Sequence, residues 1–497
     1  MCYNFFGDVM YLKRKIDKCL LNWKKQTNKP ILILKGARQI GKTYSILEFG
    51  KNNYQNIVYI NFFERPDYLE LLKGTLNPEE ILNQISLRNP NLSINENSLI
   101  FFDEIQNNID ILTSLKFFNQ RYNIDVICSG SMLGINNNKI TSIPVGFFEE
   151  IEMFSLDFEE FLWAMGYCED QVSFFKSFLL EYKTIDEHTL KLLNELFNTF
   201  TILGGMPRII SQYVDTKSFL EVYRLQKQLR DNYLIDIRQY SNDLERIKIS
   251  ALFEHIPLFL ASENKKVFFK NLIYVKTFEK GIPFVSWLNS AGITTTCYNL
   301  KTLDIPLKLN YEPNIFKMYF KDTSILIASL ELDDAIDLRA NKNIGIIKGG
   351  FVENLVAEAL IKQNIPLFYF KRADSTLELD FLIRIKNNII PIEVKAKNGN
   401  SKSLKEVLTN PKYDKVNQAE SSFIISELLL HKSVKEKHEI SSVFLKFSLV
   451  VFIYCPCNSF LSENATEWSI KSIFPHLFFI SLKKSLSVKW SLRSSFN

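Results

Sequence analysis

The sequence contains little glycine and little proline, 17 and 15 residues among 497, and it has no collagen-like, mucin-like or acidic tract. With 46% hydrophobic and 23% charged residues, its composition is that of a globular protein rather than a low-complexity chain. Cysteine is scarce as well: seven are scattered along the chain, an odd number that suits a reducing compartment better than a disulfide framework. We therefore expect a cytoplasmic protein.

A strong net charge and a long hydrophobic run are missing too. The formal net charge is only +5, so overall charge does not by itself indicate a nucleic-acid partner. The first residues, 1–7, lack the basic start and the apolar run of a secretory signal. The most apolar later stretch, 447–455, is far shorter than the roughly 20 residues that a membrane-spanning helix needs. We therefore expect no membrane partner.

The length and the periodicity of the chain predict several domains, because 497 residues exceed the size of one hydrophobic core. Up to residue 157, apolar strands alternate with helical patterns, as in a parallel α/β sheet. Residues 158–240 have mostly helical periodicity. Residues 241–330 mix helices with short apolar strands, predicted at 283–291 and 305–309, which favours a small helical or winged-helix unit.

A separate α/β unit is predicted at 345–415, with a helix over 351–363 that Gly349 and Gly350 introduce. The strands predicted to follow it are 367–370, 376–385 and 388–394. The remaining tail, 420–497, is dense in serine, phenylalanine and leucine and has weak periodicity. No fold is predicted for it.

A glycine-rich motif follows the apolar strand 31–34 and precedes a helical pattern, which is the context that a P-loop requires. Its residues are Gly36, Ala37, Arg38, Gln39, Ile40, Gly41, Lys42 and Thr43. The backbone N–H groups and the helix N-terminus would face phosphate oxygens. Lys42 would reach the β and γ phosphates, and the Thr43 hydroxyl would bind Mg²⁺. ATP and Mg²⁺ are therefore the predicted cofactors.

A second apolar strand, 98–102, is followed by Asp103 and Glu104, at the edge where α/β sheets bind ligands. Asp103 would hold Mg²⁺, directly or through water, and Glu104 would polarise the attacking water. The alternative for this pair is a helix N-cap with an acidic first turn. The next strand ends near Ser129, which either senses the γ-phosphate or is a plain turn residue.

With these motifs the sequence resembles a known group, the prokaryotic AAA-type P-loop ATPases that carry a C-terminal domain of unknown function. The resemblance covers residues 10–415. Besides the P-loop, the segments that carry it are Met10-Tyr11-Leu12-Lys13-Arg14, Phe102-Asp103-Glu104-Ile105-Gln106, Ser129-Gly130-Ser131, Leu156-Asp157-Phe158-Glu159-Glu160-Phe161-Leu162, Gly204-Gly205-Met206-Pro207, Glu378-Leu379-Asp380-Phe381 and Pro391-Ile392-Glu393-Val394-Lys395.

The resemblance implies a fold for each region. The regions are an AAA-like parallel-sheet ATPase domain at 10–157, a helical lid or linker at 158–240, a winged-helix-like region at 241–330 and a small restriction-endonuclease-like α/β domain at 345–415. Residues 1–9 and the tail 420–497 do not follow the pattern of the group. We hypothesise that a start-codon choice and a shifted reading frame account for them.

The C-terminal unit has the order of a PD-(D/E)xK nuclease: Glu353 on a helix, Asp380 on a strand, then Glu393 and Lys395 on the next strand. Strand alternation places Glu393 and Lys395 on one face, where Asp380 joins them. Asp380 and Glu393 suit Mg²⁺, Glu353 would add a ligand through water, and Lys395 would steady the attacking hydroxide or the phosphate. An ordinary salt bridge on an exposed strand pair is the alternative.

Basic residues near this cluster are predicted to hold a DNA backbone. They are Lys371, Arg372, Lys397 and Lys402. A divalent metal is expected to stabilise an isolated segment, 349–415, through Asp380 and Glu393.

Three functions stay open at this point. The first is an ATP-driven switch that acts on DNA or on a protein partner, in which the nucleotide changes the angle between the first domain and the rest. The second is a metal-dependent DNA nuclease that the ATPase part regulates, and the third is a module that binds nucleotide without hydrolysing it. Analogy with AAA proteins favours a homo-oligomer. Arg208 and Arg230 are candidates for an arginine finger, with surface solvation as the alternative.

Overall fold

The computed structural model of the protein describes residues 11–27, 29–90, 93–121, 124–130, 148–180, 186–240, 243–272, 275, 277–340, 342, 346–372, 376–385, 387–395, 402–413, 416 and 423–426. Apart from 423–426, the tail predicted at 420–497 lies outside this part of the chain, as do residues 1–10.

Strands and helices alternate in the first part of the chain, and helices dominate the second. The strands are β1 (Ile31–Lys35), β2 (Asn56–Asn61), β3 (Ser98–Asp103), β4 (Asp125–Gly130), β5 (Phe148–Glu152), β6 (Thr294–Leu300), β7 (Tyr311–Phe320), β8 (Phe368–Lys371), β9 (Glu378–Leu379), β10 (Phe381–Ile385), β11 (Asn388–Lys395) and β12 (Phe423–Ser426). The helices are α1 (Ile16–Lys24), α2 (Lys42–Asn53), α3 (Pro66–Leu71), α4 (Pro78–Arg88), α5 (Ile109–Arg121), α6 (Phe158–Ala164), α7 (Glu169–Leu180), α8 (Glu187–Leu203), α9 (Pro207–Thr216), α10 (Phe219–Tyr240), α11 (Asp243–Ala261), α12 (Phe278–Ser290), α13 (Thr323–Ile327), α14 (Leu332–Arg339), α15 (Ile346–Ile361) and α16 (Lys402–Thr409).

A parallel sheet with the order β2-β3-β4-β1-β5 forms the centre of the N-terminal region. The central strands β3 and β4 are buried at every position, and β1 is buried at all but its last residue, as expected of a parallel sheet that is covered on both faces. Ile31 and Ile33 of β1 pack in one cluster with residues of α4 and α5, whereas Leu32 and Leu34 pack in another with residues of α1 and α2. The predicted parallel α/β fold is confirmed.

The helical region begins with α6, whose first turn is fixed by a capping box. The Asp157 side chain accepts a hydrogen bond from the Glu160 N–H at 2.9 Å, and the Glu160 carboxylate accepts one from the Asp157 N–H at 3.0 Å. This exchange satisfies two backbone donors that the helix itself leaves without partners. The turn predicted around Gly204 and Gly205 lies between α8 and α9.

The middle region contains, in order, α11, a β-bridge of Lys266 to Lys317, a short 3₁₀ turn, α12 and the β6–β7 hairpin, and its winged-helix character stays a prediction. The strands predicted at 283–291 and 305–309 are wrong. The first lies almost entirely in α12, and the second ends in a 3₁₀ helix at Leu307–Leu309. A short apolar run has the same appearance in a buried strand and in a buried helix, so periodicity alone does not separate them.

The C-terminal region begins with α15, which starts at Ile346 and thus before the predicted position. Gly350 lies inside this helix, where a side chain would not fit, because a Cβ there would be 2.3 Å from the Leu260 carbonyl oxygen of α11. The strand predicted at 376–385 is broken in two, since β9 pairs with β8 and β10 pairs with β11. The order of the sheet that contains β10 is β10-β11-β12.

One sheet joins the middle and the C-terminal regions. Its order is β7-β6-β8-β9, and β6 and β8 pair in parallel, with Tyr298 opposite Phe368 and Asn299 opposite Tyr369. An isolated segment 349–415 would therefore lose β6, one of the two strands that β8 pairs with. The two regions have to be studied together.

Candidate functional sites

The glycine-rich loop turns tightly between β1 and α2. Gly41 has a φ of +93°, a conformation that residues with a Cβ rarely adopt, and it lies directly before the first residue of α2. A Cβ on Gly36 would be 2.3 Å from the Met153 carbonyl oxygen, so the loop passes close to the segment after β5. The first N–H groups of α2 are thereby presented at the C-terminal edge of the sheet.

Lys42 is buried under its own loop. Its Nζ donates hydrogen bonds to the carbonyl oxygens of Gly36, at 2.9 Å, and Ala37, at 2.7 Å. Burial lowers the pKa of Lys42 to about 8, although the carboxylates of Glu104 and Asp103 act in the opposite direction. The ammonium is thus held by neutral carbonyls and lacks a full counter-charge, which is the state expected of a phosphate-binding lysine before phosphate arrives.

Asp103 is the point where the predicted nucleotide-site residues meet. Its Oδ2 accepts a hydrogen bond from Thr43 Oγ1 at 2.8 Å and one from the Tyr59 hydroxyl at 3.2 Å. Its Oδ1 accepts one from Ser129 Oγ and one from the Glu104 N–H, the latter at 3.0 Å. The ends of β3 and β4 and the start of α2 thereby bring Thr43, Asp103 and Ser129 together. A carboxylate beside a hydroxyl is a donor set that fits Mg²⁺.

Glu104 lies next to this cluster in a left-handed conformation, with a φ of +53°. It is the N-cap residue of a short 3₁₀ helix, but its side chain makes no capping hydrogen bond. The Gln106 amide donates to its carboxylate instead. The capping alternative thus has no side-chain hydrogen bond to support it, and the catalytic role of Glu104 stays a prediction.

Tyr59 and Asn61 at the end of β2 were missed by the sequence analysis. Both side chains lie against Asp103, with Asn61 Nδ2 3.4 Å from Asp103 Oδ2. The available signal was their position, since polar residues that end an apolar strand of a parallel sheet reach the same edge as the residues after the neighbouring strands.

Arg14 belongs to a segment that carries the family resemblance, and its side chain supports the phosphate loop directly. Its guanidinium donates to the Ile40 carbonyl at 3.0 Å and to the Phe154 carbonyl at 2.7 Å, and it pairs with Glu160 at 3.1 Å. The side chain is buried, with 5% of its surface exposed. Arg14 therefore ties the loop to the segment after β5 and to α6.

The helical and middle regions also contact the loop. Arg38 Nη1 lies 2.5 Å from Asp236 Oδ1 of α10, and the Tyr233 hydroxyl donates to the Arg38 carbonyl at 3.1 Å. Burial raises the pKa of Asp236, an effect that Arg38 partly offsets. From the other side, a Cβ on Gly292 would lie 3.0 Å from the Ala37 nitrogen. A change in the loop would thus be felt by both regions.

The C-terminal cluster, formed by Glu353, Asp380 and Glu393, is also brought together, but its carboxylates are buried. The Val394 N–H donates to Asp380 Oδ2 at 2.7 Å, and burial, followed by the charges of Glu353 and Glu393, raises the pKa of Asp380 to about 7. Glu353 and Glu393 are both 3% exposed. Lys395 ends β11, and its side chain lies outside the described residues, as does all of Lys397.

Glu353 interacts with cations from the middle region rather than presenting its oxygens to solvent. Lys265 Nζ lies 2.7 Å from its Oε1, and Lys317 Nζ lies 3.5 Å from its Oε2. The Tyr319 hydroxyl donates to the same carboxylate at 3.1 Å. Within the part of the chain that the structure describes, no group of three or more acidic, histidine or cysteine residues is arranged to hold a metal. The metal role of Glu353, Asp380 and Glu393 stays a prediction.

Lys371, predicted to hold DNA, forms an ion pair with Glu378 at 2.8 Å. Lys317 was missed altogether. Its signal was a lysine inside the otherwise apolar end of β7, where a charge is buried only with a partner.

Family models match three parts of the chain. Residues 28–162 match the AAA domain. The N-terminal region is an AAA-type P-loop domain. Residues 194–335 match a domain of unknown function, DUF8612, and residues 348–441 match another, DUF4143. No curated protein is similar enough to the chain to count as a match.

Several solved structures are similar to the chain, among them an Orc1 protein and Cdc6p. The Aeropyrum pernix Orc1 protein in complex with DNA is 13% identical, with 65% of this chain and 91% of that chain covered and a TM-score of 0.27. Cdc6p from Pyrobaculum aerophilum is 15% identical, with 57% and 89% covered and a TM-score of 0.24. At these TM-scores the chains superpose loosely, and the similarity carries no conclusion about this protein.

Outside the AAA domain, Arg230 interacts with its own chain: it lies 3.7 Å from Glu254, and its guanidinium is 6.0 Å from the centre of the Phe253 ring. Arg208 lies in the first turn of α9 and is exposed. None of the described helices is both long and apolar enough to cross a lipid bilayer.

Proposed function

We propose that the protein is an ATP-driven switch that binds Mg²⁺ and ATP in its AAA domain, hydrolyses the nucleotide and passes the change to its helical and middle regions. The observation that carries the proposal is the convergence of Thr43 and Ser129 on Asp103, beside the buried Lys42. Hydroxyl and carboxylate oxygens from three elements meet there, within an AAA-type domain.

The chemistry follows from the residues in place. Thr43 and Asp103 would hold Mg²⁺, and ATP supplies the phosphoanhydride bond. Lys42 would exchange its contacts with the Gly36 and Ala37 carbonyls for phosphate oxygens, which restore its counter-charge. Glu104 would accept a hydrogen bond from the attacking water and orient it, while Ser129 would follow the presence of the γ-phosphate.

The contacts of the loop favour a switch over a passive binding module. Arg38 is ion-paired with Asp236 on α10, and Ala37 lies against Gly292 of the middle region. Phosphate that attracts Arg38 would weaken its pair with Asp236 and alter how α10 lies on the loop. DNA and a protein partner are the two candidates for what the switch acts on, and a homo-oligomer is proposed by analogy with AAA proteins.

The Glu104→Gln variant tests hydrolysis. It keeps the shape of the side chain but removes the charge that orients water, so it should bind ATP normally and hydrolyse it roughly 100-fold more slowly. Turnover is measured with Mg²⁺, with and without DNA, and Glu79→Gln on the exposed face of α4 is the matched control. Normal turnover in Glu104→Gln would remove Glu104 from the mechanism. A wild-type protein that binds ATP without turnover is the non-hydrolysing module.

A metal-dependent nuclease is the second candidate, and one observation favours it. Glu353 lies on α15, Asp380 between β9 and β10, and Glu393 on β11, yet Glu353 and Glu393 lie close enough to Asp380 to raise its pKa. Degradation of DNA with Mg²⁺ or Mn²⁺ tests this candidate. Sedimentation with and without ATP tests for an oligomer.

A further inference from the structure

The middle region places a lysine inside the C-terminal acidic cluster. Lys317, on β7, is fully buried, and its Nζ lies 3.5 Å from Glu353 Oε2 and 3.1 Å from Glu378 Oε1. The same Nζ lies 4.8 Å from the centre of the Tyr369 ring. Lys265, which is partly exposed, contacts the other oxygen of Glu353. The acids come from the C-terminal region and both cations come from the middle region.

A buried ammonium of this kind is stable only with counter-charges around it. The carboxylates of Glu353 and Glu378, 3.5 and 3.1 Å from the Lys317 Nζ, supply these counter-charges. The reverse also holds, because these acids would repel each other in the interior without a cation among them. The cluster therefore requires a cation, and a lysine already supplies it.

We propose that Lys317 is the resident cation of this cluster and excludes divalent metal from it while the C-terminal region is docked on β7. The Lys317 ammonium lies directly against oxygens of Glu353 and Glu378, so a metal that uses Glu353 as a direct ligand has to displace it. The parallel pairing of β6 with β8 holds the two regions in this closed arrangement. The use of a divalent metal as the probe rests on the proposed nuclease candidate. The inference does not depend on ATP hydrolysis.

The test uses the full chain without nucleotide and measures Mn²⁺ binding by equilibrium dialysis and by thermal melting. Wild type and Lys308→Met, an exposed lysine in the β6–β7 connection, should bind no Mn²⁺ at the cluster. Lys317→Met should bind one more Mn²⁺ per chain than wild type, with an affinity at the cluster at least about tenfold above the detection limit for wild type. Lys317→Met with Asp380→Asn should lose that site again, which assigns the metal to the cluster rather than to Asp103.

Lys317→Met leaves several acids without their cation and should lower the melting temperature by more than about 5 °C. If that variant does not fold, Lys317→Met with Glu353→Gln provides the test, because the second change removes one of the acids. Recovery of folding with Mn²⁺ binding supports the proposal, and failure to recover overturns it.

Two other results overturn it: wild type that binds Mn²⁺ at Asp380 as tightly as Lys317→Met, or a folded Lys317→Met that binds none. All of these measurements are made without ATP. Loss of ATPase activity in Glu104→Gln, or its retention, therefore leaves their outcome unchanged.

Discussion

The nucleotide site and the C-terminal cluster are both built from carboxylates beside a buried lysine, yet they compensate charge in opposite ways. Asp103 is held by neutral donors, the hydroxyls of Thr43, Ser129 and Tyr59. Glu353 is held by the ammonium groups of Lys265 and Lys317. A neutral hydroxyl can remain as a ligand when a metal binds, whereas a lysine has to be expelled first.

The two buried lysines, Lys42 and Lys317, also differ in how far nearby carboxylates compensate their charge. Burial lowers the pKa of Lys42 to about 8, because the carboxylates near it compensate only in part. For Lys317 burial acts in the same direction, but Glu353 and Glu378 outweigh it and raise the pKa. The ammonium of Lys42 therefore still lacks a full counter-charge, whereas that of Lys317 already has its counter-charges in place. This difference indicates which site is ready to bind a ligand.

The largest effect is expected for Lys42→Ala, which removes the charge that the phosphates would complete. Affinity for ATP with Mg²⁺, measured by titration calorimetry, should fall roughly 100-fold or more, as when a charge-assisted contact is lost. Lys51→Ala, an exposed lysine in the last turn of α2, should leave the affinity unchanged. Affinity in Lys42→Ala that stays within about twofold of wild type would contradict the P-loop assignment.

How far each site could be predicted depends on how local it is. The nucleotide site follows from contiguous motifs at the ends of neighbouring strands; the structure brings Thr43, Asp103 and Ser129 together, and their roles stay a prediction. The contribution of Lys317 depends on how β7 packs against α15, and no local pattern in the sequence specifies that packing. Strand 283–291 was wrong for a related reason, since packing decides whether an apolar run is helix or strand.

Alanine substitutions at two adjacent glycines of α15 test whether this helix holds Glu353 against Lys317. In Gly350→Ala the new Cβ would be 2.3 Å from the Leu260 carbonyl of α11, so the helices must move apart. We expect a loss of about 2 kcal/mol in the free energy of unfolding. In Gly349→Ala nothing lies within 4 Å of the Cβ, and the helix should gain about 0.5 kcal/mol.

Chemical denaturation of both variants measures the difference. If Gly350→Ala is as stable as Gly349→Ala, α15 does not pack on α11 as described, and the closed state of the C-terminal cluster loses its support. A destabilised Gly350→Ala that also begins to bind Mn²⁺ would link the packing of α15 to the exclusion of metal.

The smallest effect is expected from a change at Asp236, a carboxylate that contacts the phosphate loop. Asp236 pairs with Arg38 of the phosphate loop, so its charge both engages a cation and repels an incoming polyphosphate. Asp236→Asn keeps the shape and removes that charge. Affinity for ATP should therefore rise about fivefold. Asp231→Asn on the same helix, 67% exposed and 4.0 Å from Arg230, is the control and should change little. Weaker binding in Asp236→Asn would mean that Asp236 orients Arg38 for phosphate rather than restraining it. In that case Arg38 and Asp236 would act together in binding, and the nucleotide site would resemble the C-terminal cluster in depending on a preformed ion pair.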